Sequence, residues 1–120
     1  MARILLADDD PAALEMIGRT LAADGHEVIR CADGHEAYQQ LSAAPTQFDL
    51  LLTDIEMPGM DGLQLAGQAT ALAPQLRILL MSGFTDGPDQ AADLGSAIAG
   101  FITKPLSLEQ VRAAVRSALA

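Results

Sequence analysis

Short apolar runs alternate with amphipathic stretches from one end of this chain to the other, and no other feature constrains the fold as much. The runs Ile4 to Ala7, Glu27 to Cys31, Asp49 to Thr53, Arg77 to Met81 and Ala99 to Ile102 have the length and aliphatic content of buried strands. The stretches between them carry apolar residues at helical spacing. Strands separated by helices are βαβ units, so the strands run parallel and helices cover both faces of the sheet. A chain of 120 residues with this pattern is one domain with a real core. It is expected to be α/β, a doubly wound five-stranded parallel sheet in the order 2-1-3-4-5 with five helices.

The helices mark their own ends. Asp10 caps the first, Pro11 suits its first turn, Leu14, Ile17 and Leu21 share a face, and Asp24-Gly25 stops it. The second runs from Asp33 to Ala43, with Asp33 and Glu36 at capping-box spacing and Ala37 and Leu41 turned inward. A turn at Asp61-Gly62 precedes the third, Leu63 to Leu72, which buries Leu65, Ala69 and Leu72. The last, Leu108 to Leu119, has Ser107 and Gln110 at capping-box spacing. It buries Leu108, Val111, Val115 and Ala118 and leaves Arg112 and Arg116 on its polar face. The fourth helical segment is weak: between Gly83 and Gly100 there are few large apolar anchors and two glycines. It is expected to be the softest part of the domain, where switching usually resides.

Charge narrows the partners. A net charge of -9 with seven scattered Lys and Arg opposes contact with nucleic acid or an anionic membrane. Met1-Ala2-Arg3 enters the first strand with no apolar leader, and no run approaches the ~18 apolar residues of a membrane helix, so a cytoplasmic location is expected. Cys31 stands alone, which excludes an internal disulfide or a multi-cysteine metal site and makes it a small apolar filler at a strand end. His26 and His35 have no second His or Cys at ligand spacing and are assigned to solvated turns.

The chemistry gathers at the carboxyl ends of the strands. Asp8, Asp9 and Asp10 close the first apolar run and Asp54 closes the third, which places several carboxylates in the crevice where α/β folds bind ligands. Carboxylates that close cannot all stay ionised without a cation, and a hard divalent ion, Mg2+ above all, suits oxygen ligands. Asp9 and Asp54 can hold Mg2+ with the backbone carbonyl of Glu56, and Asp8 can orient a metal-bound water. Asp10 serves as a helix cap. Ser82 after the fourth strand and Lys104 after the fifth belong to the same face, where a hydroxyl and an ammonium can each take one phosphoryl oxygen. Asp54 then reads as a nucleophile for a phosphoryl group, in a site that works by positioning and charge neutralisation. Taken singly, Ser82 is a turn residue, Lys104 a surface lysine and three adjacent acids a solvated run, but none of these readings accounts for the whole set.

Along its whole length the chain resembles a bacterial two-component response-regulator receiver domain, whose fold is flavodoxin-like. The resemblance rests on Asp8-Asp9, on Leu51-Leu52-Thr53-Asp54-Ile55-Glu56-Met57-Pro58-Gly59-Met60-Asp61-Gly62, on Ser82-Gly83 and on Thr103-Lys104-Pro105, in family order. It implies that Asp54 is the phospho-acceptor, that Asp8 and Asp9 belong to a Mg2+ pocket, that Ser82 and Phe101 are the switch pair, and that Lys104 senses the phosphate. It also implies a cis Lys104-Pro105 peptide. The implied partners are a histidine kinase or histidine phosphotransfer protein and a downstream target met through the fourth helix, fifth strand and last helix. Ser82 and Phe101 stand where the family more often has Thr and Tyr; the hydroxyl survives and the phenol does not. The glycine spacing from Gly95 to Gly100 departs from the family, which leaves the path of the fourth helix open. Phe84 reads either as a gate over the site or as packing.

Because the chain stops one residue after the last helix, residues 1 to 120 are read as a receiver with no output domain, acting through another protein. The opening Met1 to Ala7 and the run Asp49 to Asp54 resemble single-domain receivers of cell-cycle phosphorelays. Some of those act as adaptors for regulated proteolysis, so an adaptor working mainly when unphosphorylated is the alternative. An aspartyl-nucleophile phosphatase would use Asp8 and Asp10, but it needs a further acidic pair where this chain has Thr103-Lys104-Pro105. A flavin carrier shares the fold, yet Asp8 to Asp10 would repel the FMN phosphate. The chain is accordingly read as a switch and not an enzyme.

Overall fold

The computed structural model describes residues 1–83, 95–104 and 106–120. Its strands are β1 (Arg3–Ala7), β2 (Glu27–Cys31), β3 (Leu50–Asp54), β4 (Arg77–Ser82) and β5 (Ile98–Thr103). They form one parallel sheet in the order β2-β1-β3-β4-β5, as the alternation of runs requires. Among the described residues the helices are α1 (Pro11–Ala23), α2 (Gly34–Ala43), α3 (Gly62–Leu72) and α4 (Leu108–Leu119). The remaining expected helix falls largely on residues 84–94, outside the described residues; Phe84 and the Lys104-Pro105 peptide fall outside them too. Gly95 to Ala97 make a 3-10 turn that leads into β5.

Strand periodicity sorts the core into two layers. Leu5, Ala7, Leu51, Ile78 and Leu80 meet Ala37 and Leu41 of α2 and Leu65, Ala66 and Ala69 of α3. On the other face Ile4, Leu6, Leu50, Leu52, Leu79 and Met81 meet Ile17 and Leu21 of α1 and Val111 and Val115 of α4. Every residue of β3 is buried, so the strand that ends in Asp54 is anchored from both sides. At roughly 1.5–3 kcal/mol for each large aliphatic side chain, Leu50, Leu51 and Leu52 hold that strand far more firmly than any surface contact. Cys31 lies 1% exposed in the α2 layer, and burial, followed by the charges of Glu36 and Asp33, pushes its thiol up to about 12. It is the packing residue its isolation implied.

Strand and helix ends differ from expectation by a residue or two, and two differences matter. Asp54 pairs with Met81 and Ser82 with Thr103, so both are the final residues of their strands and not the first residues of loops. The helix caps are also redistributed. Asp61 is no mere turn residue: its carboxylate accepts the Gln64 N–H at 2.8 Å while the Gln64 side chain takes the Asp61 N–H at 3.0 Å, a complete capping box. Ser107 and Gln110 form the expected box. Asp33 does accept the Glu36 N–H at 2.8 Å, but the Glu36 carboxylate takes the Ala32 N–H at 3.3 Å, so that box is only half made. Gly25, at a φ of 95°, turns the chain out of α1, and the His26 N–H closes the turn on the Leu21 carbonyl at 3.2 Å. His26 itself is half-buried: its Nδ1 accepts the Ala2 N–H at 3.1 Å, which ties this turn to the start of β1. His35 is exposed, but it lies in the first turn of α2 and not on a loop.

Candidate functional site

Parallel pairing delivers the polar residues to one pole of the sheet. The Asp8 N–H continues the ladder of β1 onto the Cys31 carbonyl at 3.1 Å, and the Lys104 N–H continues that of β5 onto the Ser82 carbonyl at 2.8 Å. Both residues are therefore held like strand residues although each lies just past a strand end. Oxygens of Asp8, Asp9 and Asp54 lie within 4.8 Å of one another. Asp8 and Asp54 are 0% and 3% exposed, and Asp9 forms the open side.

Each carboxylate oxygen has a different environment. Asp54 Oδ2 accepts a hydrogen bond from Lys104 Nζ at 2.9 Å, across fifty residues of sequence, and Oδ1 faces the Glu56 N–H at 3.3 Å. Asp8 Oδ1 accepts the Asp10 N–H at 2.9 Å. Asp8 Oδ2 is buried and has no hydrogen-bond partner among the described residues. Burial raises the Asp8 pKa above its ordinary value; the Asp10 N–H and Lys104 pull it down, but the charges of Asp54 and Asp9 add to the rise. Burial alone would lower the Lys104 pKa, yet its hydrogen bond to Asp54 and the charges of Asp54, Asp8 and Asp9 outweigh that and hold the ammonium above its usual range. Among the described residues the pole is thus a knot of three acids with one cation, short of positive charge, with an orphaned anionic oxygen inside it.

That donor set fits a hard divalent cation. Carboxylate and carbonyl oxygens at an open-sided pocket are what Mg2+ accepts, and Asp8 Oδ2 is an oxygen that the described residues leave unsatisfied. Ser82 is buried 3% exposed beside the cluster, one residue beyond the Met81 that pairs with Asp54. Phe101 pairs with Leu80 on β4, is half-buried, and packs against the α2 and α3 layer of the core. By strand alternation Phe101 and Ser82 share a face two positions apart. The structure therefore gathers Asp8, Asp9, Asp54 and Lys104 directly, sets Glu56 and Ser82 beside them, and keeps Phe101 a layer below.

Two glycines complete the setting, Gly62, which the sequence marked only as part of a turn, and Gly34, which it did not mark. A Cβ at Gly62 would overlap the Asp54 carbonyl oxygen and fall 2.7 Å from Ile55 Cα, so only glycine lets α3 start directly behind Asp54. A Cβ at Gly34 would press 3.0 Å from Met60 Cβ and overlap the Met60 carbonyl, so α2 also begins against this loop. The Gly62 N–H donates to the Ile55 carbonyl at 2.8 Å and locks the contact. The spacing of Asp61 and Gln64 was the available signal for this helix start; the Asp61-Gly62 turn marked Gly62, and nothing local marks Gly34.

Residues 4–116 match the family described as the response regulator receiver domain. The chain belongs to that family. A response regulator receiver protein of Brucella abortus, CpdR, is 38% identical over 114 residues, which is 92% of this chain and 91% of that protein. The transcriptional regulatory protein GlrR of Escherichia coli is 30% identical over 98% of this chain, but the chain spans only 26% of GlrR. The chemotaxis protein CheY4 of Vibrio cholerae superposes with a TM-score of 0.87 at 27% identity, covering 99% of each chain. Receiver domains are the switches of two-component systems and phosphorelays and have an acidic pocket, and this chain has the cluster of Asp8, Asp9 and Asp54. No helix among the described residues of this receiver is long and apolar enough to cross a membrane.

Proposed function

We propose that this receiver accepts a phosphoryl group on Asp54 from a phosphohistidine donor, a histidine kinase or histidine phosphotransfer protein, and presents a changed surface to a protein target. The observation that carries the proposal is the buried Asp54 carboxylate held between Lys104 Nζ and the Glu56 N–H, beside an unpartnered Asp8 oxygen. A carboxylate fixed in this way is an oriented nucleophile. One Asp54 oxygen bonds to phosphorus as the phosphorus–nitrogen bond breaks, the electron pair returns to the donor imidazole, and an acyl phosphate results. Lys104 neutralises charge on the transferred group, and the Ser82 hydroxyl donates to another of its oxygens. Asp8, Asp9 and Asp54, with the Glu56 carbonyl, are the residues that would hold Mg2+, which would supply the remaining positive charge. Because the transferred group ends on the protein itself, the role on this reading is a switch and not an enzyme, in the cytoplasm.

The readout follows from packing. If Ser82 moves toward a phosphoryl group, the space it leaves on its face is open to Phe101, and β5 and α4 change what they show to partners. Incubation with acetyl phosphate and Mg2+, borohydride trapping and mass spectrometry test the assignment. Label on Asp54 that vanishes in Asp54→Asn and with EDTA is expected. Label that persists in either case refutes it.

A further inference from the structure

Three of the seven basic residues of this acidic chain line one cavity at the pole of the sheet opposite Asp54. The cavity, of about 830 Å³, opens among the amino ends of the strands and the carboxyl ends of α1 and α4. Arg77 opens β4, and Arg112 and Arg116 lie one helical turn apart on α4. Their donors are unequally used. Arg77 Nη1 donates to the Ala118 carbonyl at 2.8 Å and caps α4. Arg112 Nε lies 3.4 Å from Asp24 Oδ2, yet it is buried and makes no hydrogen bond among the described residues. Arg116 has neither an ion pair nor a hydrogen bond among the described residues. His26, on the same wall, accepts the Ala2 N–H through Nδ1, which leaves Nε2 of the neutral ring as a further donor.

We propose that this cavity docks a carboxylate side chain from an acidic peptide segment of a partner protein. Guanidinium forks match carboxylates in two parallel hydrogen bonds, and an acceptor placed here would satisfy the buried Arg112 Nε. A net charge of -9 repels an acidic segment over most of the surface, so this pole is where such a partner can settle. Asp24 and Asp49 line the same wall and disfavour a phosphate dianion more than a single carboxylate. Docking here leaves the Asp54 pole and the phosphorylation chemistry untouched, so the two readings stand or fall separately.

The test is a titration of the full chain with a blocked hexaglutamate peptide, and separately with inorganic phosphate, read by amide and arginine Nε–H NMR shifts. Saturable shifts at Arg112, Arg116 and the turn from Asp24 to His26 are expected. Affinity should fall at least tenfold in Arg116→Gln, whose side chain holds nothing in the fold, and in Arg112→Gln. It should change less than twofold in Arg19→Gln, which removes the same charge from an α1 residue paired with Glu15 at 3.2 Å. No saturable shift, equal weakening in Arg19→Gln, or binding of phosphate without binding of the peptide would overturn the proposal.

Discussion

Replacing Asp8 by Asn should stabilise the protein when no divalent cation is present, although it removes a buried, hydrogen-bonded side chain. The reason is electrostatic. At the 4.8 Å limit within which the acidic oxygens lie, two unit charges repel by roughly 3.5 kcal/mol at an effective dielectric of about 20. Lys104 offsets part of this, but it is a single cation and it is engaged with Asp54. Asparagine keeps an oxygen for the Asp10 N–H and puts an amide donor where Asp8 Oδ2 has no partner. Allowing for Lys104 and for solvent at exposed Asp9, the net gain is about 1–3 kcal/mol. At about 4 °C per kcal/mol for a domain of this size, the Tm in EDTA near neutral pH should rise by about 4–12 °C. The pH dependence has a definite sign. Because the folded-state pKa of Asp8 is raised, its ionised form opposes folding above that pKa, and the cost fades as pH falls through it toward 3.8. Melting curves of the two proteins should therefore converge on acidification, and Mg2+ should raise the Tm of the parent more than that of the variant. Calorimetry in EDTA settles the matter: a variant that melts at or below the parent refutes this account of the pocket.

Lys104→Ala should leave Mg2+ affinity intact or raise it up to about tenfold, since a competing positive charge is removed, while uncoupling Asp54 phosphorylation from the change at β5 and α4. NMR titration with Mg2+, compared with Asp9→Ala, checks this, and equal loss of affinity in both variants would contradict it. Gly62→Ala should destabilise by about 1–3 kcal/mol despite the better helix propensity of alanine, because the added Cβ meets the backbone of Asp54 and Ile55. Urea denaturation with an unchanged midpoint would show that α3 can shift freely behind Asp54.

The sheet and its strand order were legible in the sequence because they follow from local signals: aliphatic runs, helical periodicity, and caps at Asp10 and Ser107. The acid cluster was legible for the same reason, since Asp8, Asp9 and Asp54 close runs that parallel pairing must bring to one pole. The half-made box at Asp33 and the complete one at Asp61 show where local reading fails, because equal spacing does not say where a Glu36 or Gln64 side chain will find its donor. Register decided the rest. That Asp54 and Ser82 end their strands, that Lys104 reaches Asp54 fifty residues away, that Gly62 abuts the Asp54 backbone, and that three arginines share a cavity depend on how strands and helices align. Periodicity and capping act over a few residues, whereas these contacts join segments distant in sequence, so only the packed structure could decide them.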